Sequence, residues 1–386
     1  MTETKAVPAL LRTLNERAVL DTVRTTGPIS RAEVARQTGI SRPTVSLVLR
    51  SLLEDGLVRE TAHDAEGPHY GAVYYEADRE AAVVLGVDFG SRAVRTALCD
   101  LSSGVRAKEE IRSRGSVEER IDALASSVRS LLRTSRLPGD LLENAVVALP
   151  AVVHPTELRV SEADLPGLGA SDLHEQLERA LRVPVTLEND VNLAAVAEQR
   201  RGVAADVADF AFLLVGAGLG AAVVLDRKLH RGHNGNAGEL DAVRNGRADH
   251  VDPCAASLSQ LAGELAATRP TELEAPFDVR ELFAAAEAGD AVGTAVVEEA
   301  ARRIALHILS LAATLDLPLV VLGGSVAANP ALLEPVRRHL DALLPFPAPR
   351  VEVSALGEAA VLEGALAAGV DTALERLFQR RVRRGA

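Results

Sequence analysis

The chain has 386 residues, a net charge of −12, 47% hydrophobic residues and 25% charged residues. This length allows two or three domains, and the acidity argues against a protein that coats nucleic acid over its whole surface. The sequence contains no run of about 18 apolar residues, so no membrane span is expected. Two cysteines provide no disulfide framework, and we therefore predict a cytoplasmic protein.

Residues 28–60 contain two short helical patterns separated by Thr38-Gly39-Ile40. Each pattern begins with a serine in the N-cap position, Ser30 and Ser41, and Gly39 suits a left-handed turn between them. This arrangement predicts a DNA-reading helix-turn-helix, the alternative being a three-helix module that packs on protein. On the second helix, the predicted contacts to bases and phosphates are Ser41, Arg42, Thr44, Ser46 and Arg50.

The residues around these two helices complete a domain that we expect to span residues 1–79. A first helix is predicted over 15–25. A strand starting near Leu57, a polar loop over 63–69 and a strand over 72–75 are typical of a wing. The loop carries acids and histidines, so we expect it to hold DNA weakly at neutral pH.

From residue 80 to 386 the pattern changes to alternating strands and helices of the α/β class. Two similar hairpin-strand-helix units predict two lobes, roughly 80–187 and 188–386, with a cleft between them. A last helix is predicted over 358–369. The arginine-rich end at 380–384 is expected to be solvated, the alternative being contact with phosphate.

Several motifs in this body resemble the ROK family, whose name stands for repressors, open reading frames and kinases. The resemblance covers nearly the whole chain and implies an actin-like (ribonuclease H-like), two-lobed, sugar kinase-like body. With the N-terminal winged helix-turn-helix, it points to the transcription factors of that family. The matching segments are residues 85–100, 164–168, 183–198, 215–226, 231–239, 320–330 and 356–365.

The resemblance implies a set of ligand-binding residues in the cleft. Asn189, Asp190 and Glu239 resemble the family's sugar contacts, and Asp190 matches the general base of its kinases. Asp164 aligns with a family asparagine that also touches sugar. Gly235 would let its loop approach a ligand. From the residues alone, a helix-capping role for the 188–192 segment and a turn role for the glycine remain open.

The nucleotide-binding loops depart from the pattern of the family's kinases. Ser91 and Arg92 stand where those kinases have glycine and threonine, and Ala217 replaces the threonine of the second loop. Phosphate binding relies on glycine-accessible N–H groups and hydroxyl donors, so their loss predicts a protein that does not use ATP and is not an enzyme.

The family's zinc site also departs from the pattern. Ala242 stands where the resemblance expects a histidine, and only Cys254 remains of three cysteines, so no zinc is expected. A substitute site built from His230, His233, His250 and Cys254 stays open as an alternative.

These observations favour a DNA-binding regulator of carbohydrate-related genes, most simply a repressor controlled by a sugar or sugar derivative. One recognition helix reads only a few base pairs, so we expect a homodimer or homotetramer on a double-stranded operator. An ATP-dependent sugar kinase with a DNA-binding appendage is the main alternative. A regulator that responds to a protein partner is a third reading.

Overall fold

The computed structural model describes residues 6–61, 73–90, 93–112, 115–161, 167–170, 172–240 and 252–384, with side chains from Leu11 to Arg381 in these ranges. Among these residues, no helix combines the length and hydropathy needed to cross a bilayer. The helices are α1 Ala6–Thr26, α2 Arg31–Thr38, α3 Arg42–Glu54, α4 Val117–Ser135, α5 Leu173–Leu181, α6 Asp190–Arg201, α7 Ala255–Ala266, α8 Val279–Glu287, α9 Ala291–Leu315, α10 Gly324–Ala327, α11 Leu333–Leu343 and α12 Ala360–Arg384. The strands are β1 Ile29–Ser30, β2 Val58–Thr61, β3 Tyr74–Ala77, β4 Val83–Phe89, β5 Ala93–Asp100, β6 Val105–Arg112, β7 Leu142–Leu149, β8 Val185–Asn189, β9 Phe210–Val215, β10 Leu219–Leu225, β11 Lys228–His230, β12 Leu319–Gly323 and β13 Arg350–Val353.

The first three helices form the predicted helix-turn-helix. The hydroxyls of Ser30 and Ser41 cap α2 and α3 by accepting the backbone N–H of the third helical residue, at 3.3 and 3.4 Å. Gly39 ends α2 with a φ of 70°, the left-handed conformation predicted for it. Helix α1 starts earlier than the predicted residue 15, since it begins at Ala6.

A three-stranded sheet of order β1-β3-β2 follows the helices, with β2 and β3 antiparallel. It matches the predicted wing, although its second long strand is Tyr74–Ala77 rather than 72–75. The polar loop at 63–69 lies outside the described residues. Strand β1 comes from the segment before α2, so the wing is tied to the helices by backbone pairing as well as by packing.

The first lobe contains a five-stranded sheet of order β6-β5-β4-β7-β8. Strands β4, β7 and β8 are parallel, and β5 and β6 extend the sheet as an antiparallel hairpin. The parallel strands are near-continuous apolar runs because both of their faces are covered. Helices α4 and α5 pack on one face. The carboxyl ends of β4, β7 and β8 lie at one edge of the sheet, where polar residues follow them.

The second lobe repeats this arrangement in a sheet of order β11-β10-β9-β12-β13. An antiparallel hairpin again extends a parallel set, here β9, β12 and β13. Helices α7, α8, α9 and α11 cover the outer face with one large apolar core. The predicted pair of similar lobes is therefore present, each with the same strand order.

Helices α6 and α12 lie between the two sheets and cross each other. Helix α6 packs on the inner face of the second sheet, and α12 packs on the first sheet. At the crossing, a Cβ on Gly364 would lie 1.8 Å from the carbonyl oxygen of Leu193. A Cβ on Gly86 of β4 would similarly lie only 2.9 Å from the side chain of Leu366. Glycine at positions 86 and 364 therefore lets α12 approach both elements closely.

The C-terminal helix corrects three predictions. It was expected over 358–369, but α12 runs from Ala360 to Arg384, and it packs on the first sheet although the sequence-based division grouped it with the second lobe. Its arginine-rich end is not simply solvated, because Arg380 pairs with Glu143 and Arg381 is mostly buried. The helix continues because its apolar stripe finds a partner surface in the N-terminal domain, far away in the sequence.

One hydrophobic cluster joins the helix-turn-helix to the body through α12. It runs from Val84 on the face of the first sheet that α12 covers, along Val370 and Phe378 of α12, to Leu20 and Leu52 in the head. The cluster has no break between the two domains. The head is therefore packed on the body as part of a common core.

Arg381 reinforces this joint with polar contacts. Its guanidinium lies 2.6 Å from Asp55 and 3.4 Å from Glu16, and it donates a hydrogen bond of 2.8 Å to the hydroxyl of Ser51. The side chain is only 14% exposed, so these interactions are less screened by solvent than a surface pair. Arg381 thus links α12 to both α1 and α3.

The helix crossing gives a stability prediction. Gly364→Val should lower the free energy of unfolding by at least about 2 kcal/mol, because the new side chain forces α12 away from the carbonyl of Leu193. Gly263→Ala is the control, since a Cβ there would meet its nearest atom at 3.7 Å, in ordinary contact. Adding Ala within α7 should stabilise by about 0.5–1 kcal/mol. Urea unfolding of both variants checks this, and equal stability of Gly364→Val and the wild type would contradict the crossing.

Candidate functional site

The junction between β8 and α6 forms one wall of the cleft. Asn189 is the N-cap of α6, where its side-chain oxygen accepts the backbone N–H of Asn192 at 3.1 Å. Its amide nitrogen donates to the carbonyl oxygen of Ala151, at 3.1 Å, in the segment after β7. The capping role left open by the sequence is therefore real. Asn189 fixes the direction of α6 relative to the first sheet, and its contact with a sugar stays a prediction.

Glu188 and Arg231 connect the two lobes beside this junction. Glu188, whose side chain is only 9% exposed, lies 2.6 Å from the guanidinium of Arg231 in the loop after β11. Its other oxygen accepts the side-chain amide of Asn192 at 2.8 Å. Both oxygens of Glu188 are thus occupied by protein donors. The ion pair holds the 231–239 loop against the end of β8 and was not found from the sequence.

The glycines of the 231–239 loop allow a close approach to protein backbone. Gly235 has a φ of 87°, and a Cβ there would lie 2.4 Å from the carbonyl oxygen of Val153 in the first lobe. Gly238 has a φ of 93° and faces the carbonyl oxygen of Ala221 in the same way. Packing therefore explains both glycines. The predicted role of Gly235 in ligand binding stays a prediction.

Three carboxylates approach one another across the cleft. Asp190 starts α6, and its side chain accepts the backbone N–H of Val191 at 2.8 Å. Burial, followed by the charge of Asp88, raises the pKa of Asp190 to about 7, and the charge of Glu239 adds to the effect. Asp190 and Glu239 are therefore close enough for their charges to interact, with Asp88 as a third carboxylate, and their contacts with a sugar stay predictions. Asp164, the remaining predicted ligand contact, lies outside the described residues.

Asp88 at the end of β4 is paired with a cation. It is 8% exposed, and its carboxylate accepts a hydrogen bond of 3.1 Å from Arg95 on the neighbouring strand. Burial raises the pKa of Asp88, while the charge of Arg95 opposes that rise. Arg95 also donates to Glu110 at 3.1 Å. No motif distinguishes Arg95 in the sequence, because its partner comes from the adjacent strand.

The loop after Asp88 is anchored by a second arginine. Arg120, buried in α4, donates to the carbonyl oxygen of Gly90 at 2.7 Å and to that of Gly115 at 3.1 Å. Residues 91 and 92 lie outside the described residues. In the second loop, Ala217 is exposed between two glycines, and the N–H of Gly216 donates to the carbonyl of Gly218. This turn satisfies part of its own backbone hydrogen bonding.

The recognition helix α3 presents the predicted arginines to solvent. Arg42 and Arg50 are exposed, and neither forms an ion pair with any residue that the structure describes. The three hydroxyls are engaged within the head. Ser41 and Thr44 share a hydrogen bond of 2.8 Å, and Ser46 donates to the carbonyl of Arg42 at 2.9 Å. The sequence-based list also omitted Leu47, which is exposed on the same helix.

Comparison with known proteins decides the family. The ROK family model matches residues 84–369, about three quarters of the chain, and a winged helix-turn-helix DNA-binding model matches residues 12–59. The chain belongs to the ROK family. It is similar to the DNA-binding transcriptional dual regulator NagC of Escherichia coli (strain K12), with 26% identity over 390 residues, 94% of this chain and 95% of NagC.

The ROK family includes enzymes as well as regulators. N-acetylmannosamine kinase of Salmonella newport (strain SL254) is 30% identical over 300 residues, which cover 75% of this chain and 99% of the kinase. The crystal structure of a ROK family transcriptional regulator, a homolog of the E. coli MLC protein, superposes with a TM-score of 0.78 at 21% identity. That superposition covers 96% of this chain and 99% of the other, and it shows a common fold.

The ROK zinc site was expected to be lost, and most of the residues concerned lie at 241–251, outside the description. His230 and His233 are exposed, whereas Cys254 is buried at the start of α7. Its backbone N–H donates to Asp252 at 2.9 Å. Across the described ranges, no three histidine, cysteine or acidic side chains group as metal ligands. The residues described thus do not fit a zinc site, and its loss stays a prediction.

The raised pKa of Asp190 predicts a pH-dependent stability. The folded state keeps the proton to about pH 7, whereas the ordinary pKa is 3.8, so this group makes folding less favourable as the pH rises between these values. Asp190→Asn removes the charge. It should be more stable than the wild type at pH 8 by on the order of 1–3 kcal/mol, with the difference vanishing near pH 4.

Urea unfolding at pH 4, 6 and 8 measures this difference. Asp122→Asn, at an exposed position on α4, is the control and should change stability little at any pH. A pH-independent effect of Asp190→Asn would show that the carboxyl group is not desolvated.

Proposed function

We propose that this ROK family protein is a DNA-binding transcriptional repressor whose operator affinity is controlled by a sugar or sugar derivative bound in the cleft. The main support for this proposal is the continuous hydrophobic core that joins the helix-turn-helix to the two-lobed body through α12. A separate DNA-binding domain on a flexible linker would have no mechanical reason to respond to the cleft. Here the same helix touches the lobe crossing and the head.

The head has the charge and geometry that duplex DNA requires. Arg42 and Arg50 project from a capped helix and are not neutralised by described acids. The rest of the chain is acidic enough to give a net charge of −12, so attraction to DNA is confined to the head. A single helix reads few base pairs, and the proposal therefore includes at least a dimer on a two-fold operator.

The cleft offers hydrogen-bonding groups suited to a polyol. Asp190 near its pKa can accept or donate a hydrogen bond at neutral pH, and Glu239 adds a second carboxyl group. Neighbouring hydroxyls of a sugar pair well with such groups, as the name of the kinase relative also suggests. The Glu188–Arg231 ion pair holds the loop that carries Glu239 against the end of β8, so the positions of the two cleft walls relative to each other are fixed.

The coupling works through the crossing of α6 and α12. A ligand between Asp190 and Glu239 favours one separation of the lobes, and α6 moves with the lobe that closes. Because Gly364 and Leu193 touch through backbone atoms, α12 has to follow, and α12 supports α1 and α3. A coupling free energy of about 1–3 kcal/mol would change operator affinity by roughly 5- to 150-fold.

The first prediction of this proposal concerns the head. Duplexes enriched from a random pool by the full-length wild type should be bound with sequence preference. Arg42→Ala with Arg50→Ala should weaken that binding by at least about tenfold, because one lost base or phosphate contact is worth about 1–3 kcal/mol.

A matched control removes the same charge elsewhere. Arg129→Ala with Arg133→Ala changes two exposed arginines of α4 on the body and should leave the affinity within about twofold. Fluorescence anisotropy at fixed salt measures all three proteins. If both double variants lost the same affinity for the duplex, binding would depend on the net charge of the protein and not on contacts made by α3.

The second prediction concerns the cleft. One member of a panel of hexoses, pentoses and N-acetylated amino sugars should weaken the wild-type complex with the enriched duplex by roughly 5- to 150-fold. Glu239→Gln should bind the duplex normally and lose the response, since it replaces a carboxylate of the cleft and leaves the head unchanged. Flat titrations with every sugar would instead favour a regulator that responds to a protein partner.

An ATP-dependent sugar kinase is the second candidate, favoured by the kinase relative and by the raised pKa of Asp190, which suits a general base. Against it, Arg95 already neutralises Asp88, and Ala217 offers no hydroxyl to a phosphate. The proposal therefore includes neither ATP nor zinc. Adding MgATP to the same sugar panel distinguishes the two candidates. Release of ADP by the wild type that is lost in Asp190→Asn would establish the kinase.

A further inference from the structure

Leu47 is an exposed apolar side chain in the middle of the recognition helix. It is 64% exposed, more than any other large apolar residue that the structure describes. The other apolar residues of α3 that face the head, such as Val45, Val48 and Leu52, are buried. Folding of the head therefore gives Leu47 no packing role, and its position needs another explanation.

The direction of Leu47 on α3 places it at the outermost line of the helix. At 100° per residue, Leu47 and Arg50 project within about 30° of the direction opposite to the buried side chains. Ser46 lies to one side, and its hydroxyl is occupied by the carbonyl of Arg42. The hydroxyls of Ser41 and Thr44 are occupied by each other. By the same count Pro43 and Glu54, both exposed, also project outward near the two ends of α3, and the outermost groups between them are an aliphatic side chain and a guanidinium.

We infer that Leu47 reads sequence, by packing on the 5-methyl group of a thymine in the major groove. This inference rests on the proposed function. The thymine methyl is the only apolar group on a base edge in that groove, and apolar side chains recognise it by contact. Arg50, one turn farther along α3, and Arg42, near its start, supply the phosphate or guanine contacts on either side.

The charges around Leu47 favour a duplex as its partner over a second protein surface. Arg42 and Arg50 on α3 and Arg31 on α2 are all exposed, and of their side chains only that of Arg31 has a described polar contact, a long one of 3.4 Å to Ser46. A protein interface would have to desolvate these cations, whereas a DNA groove presents phosphates to them. An exposed leucine with exposed arginines on its own helix and on α2 is a pattern suited to a groove that is apolar at one methyl and anionic at its rims.

The test removes the methyl group from the DNA and the side chain from the protein. Each thymine of the enriched duplex is replaced singly by deoxyuridine, which lacks only that methyl, and affinities are measured for the wild type and Leu47→Ala. The wild type should lose affinity at one symmetry-related thymine position by about fourfold, the fold-change expected from burying one methyl-sized group. Leu47→Ala should bind the thymine duplex more weakly and be indifferent to deoxyuridine at that position.

Leu14→Ala is the matched control, since Leu14 is an exposed leucine of the same head on α1. It should repeat the wild-type deoxyuridine scan. Identical scans for the wild type and Leu47→Ala would overturn this inference alone. It would also be overturned if the DNA-free Leu47→Ala variant had a different oligomeric state from the wild type, measured by sedimentation, because Leu47 would then contact protein. A wild type that binds every duplex equally would overturn the proposed function together with this inference.

Discussion

Helices α6 and α12 cross between the two sheets with backbone against backbone, where Gly364 meets the carbonyl of Leu193. No side chain cushions this contact, so the two helices cannot move independently there. Each helix belongs to a different sheet, and the crossing therefore relates the two lobes. Beyond it, α12 continues to the head and ends in the contacts of Arg381. The cleft and the helix-turn-helix thus share one rigid element, and this makes a ligand-controlled regulator physically reasonable.

The carboxylates around the cleft differ mainly in whether protein supplies their counter-charge. Glu188 is held by Arg231, and Asp88 is held by Arg95, so both are committed within the fold. Asp190 is paired with no cation among the residues that the structure describes, and burial next to Asp88 raises its pKa to about 7.

The head combines a rigid base with an outer face that has little protein contact. Two serine caps and a left-handed glycine define the helix-turn-helix, while α12 and Arg381 hold it against the body. On the outer side of α3, Arg50 and Leu47 extend toward solvent. Apolar contact and charge are thus placed side by side on one helix, which is the combination that allows both affinity and base discrimination.

The sequence by itself determined the elements whose signals are local. The caps at Ser30 and Ser41, the turn at Gly39 and the apolar strands of both lobes depend on neighbours within a few residues. The length and docking of α12, and the partners of Arg95 and Arg231, came only from the tertiary structure. Ion pairs and helix docking join residues from separate strands, loops and domains, up to hundreds of positions apart, so their free energy exists only once the chain has folded.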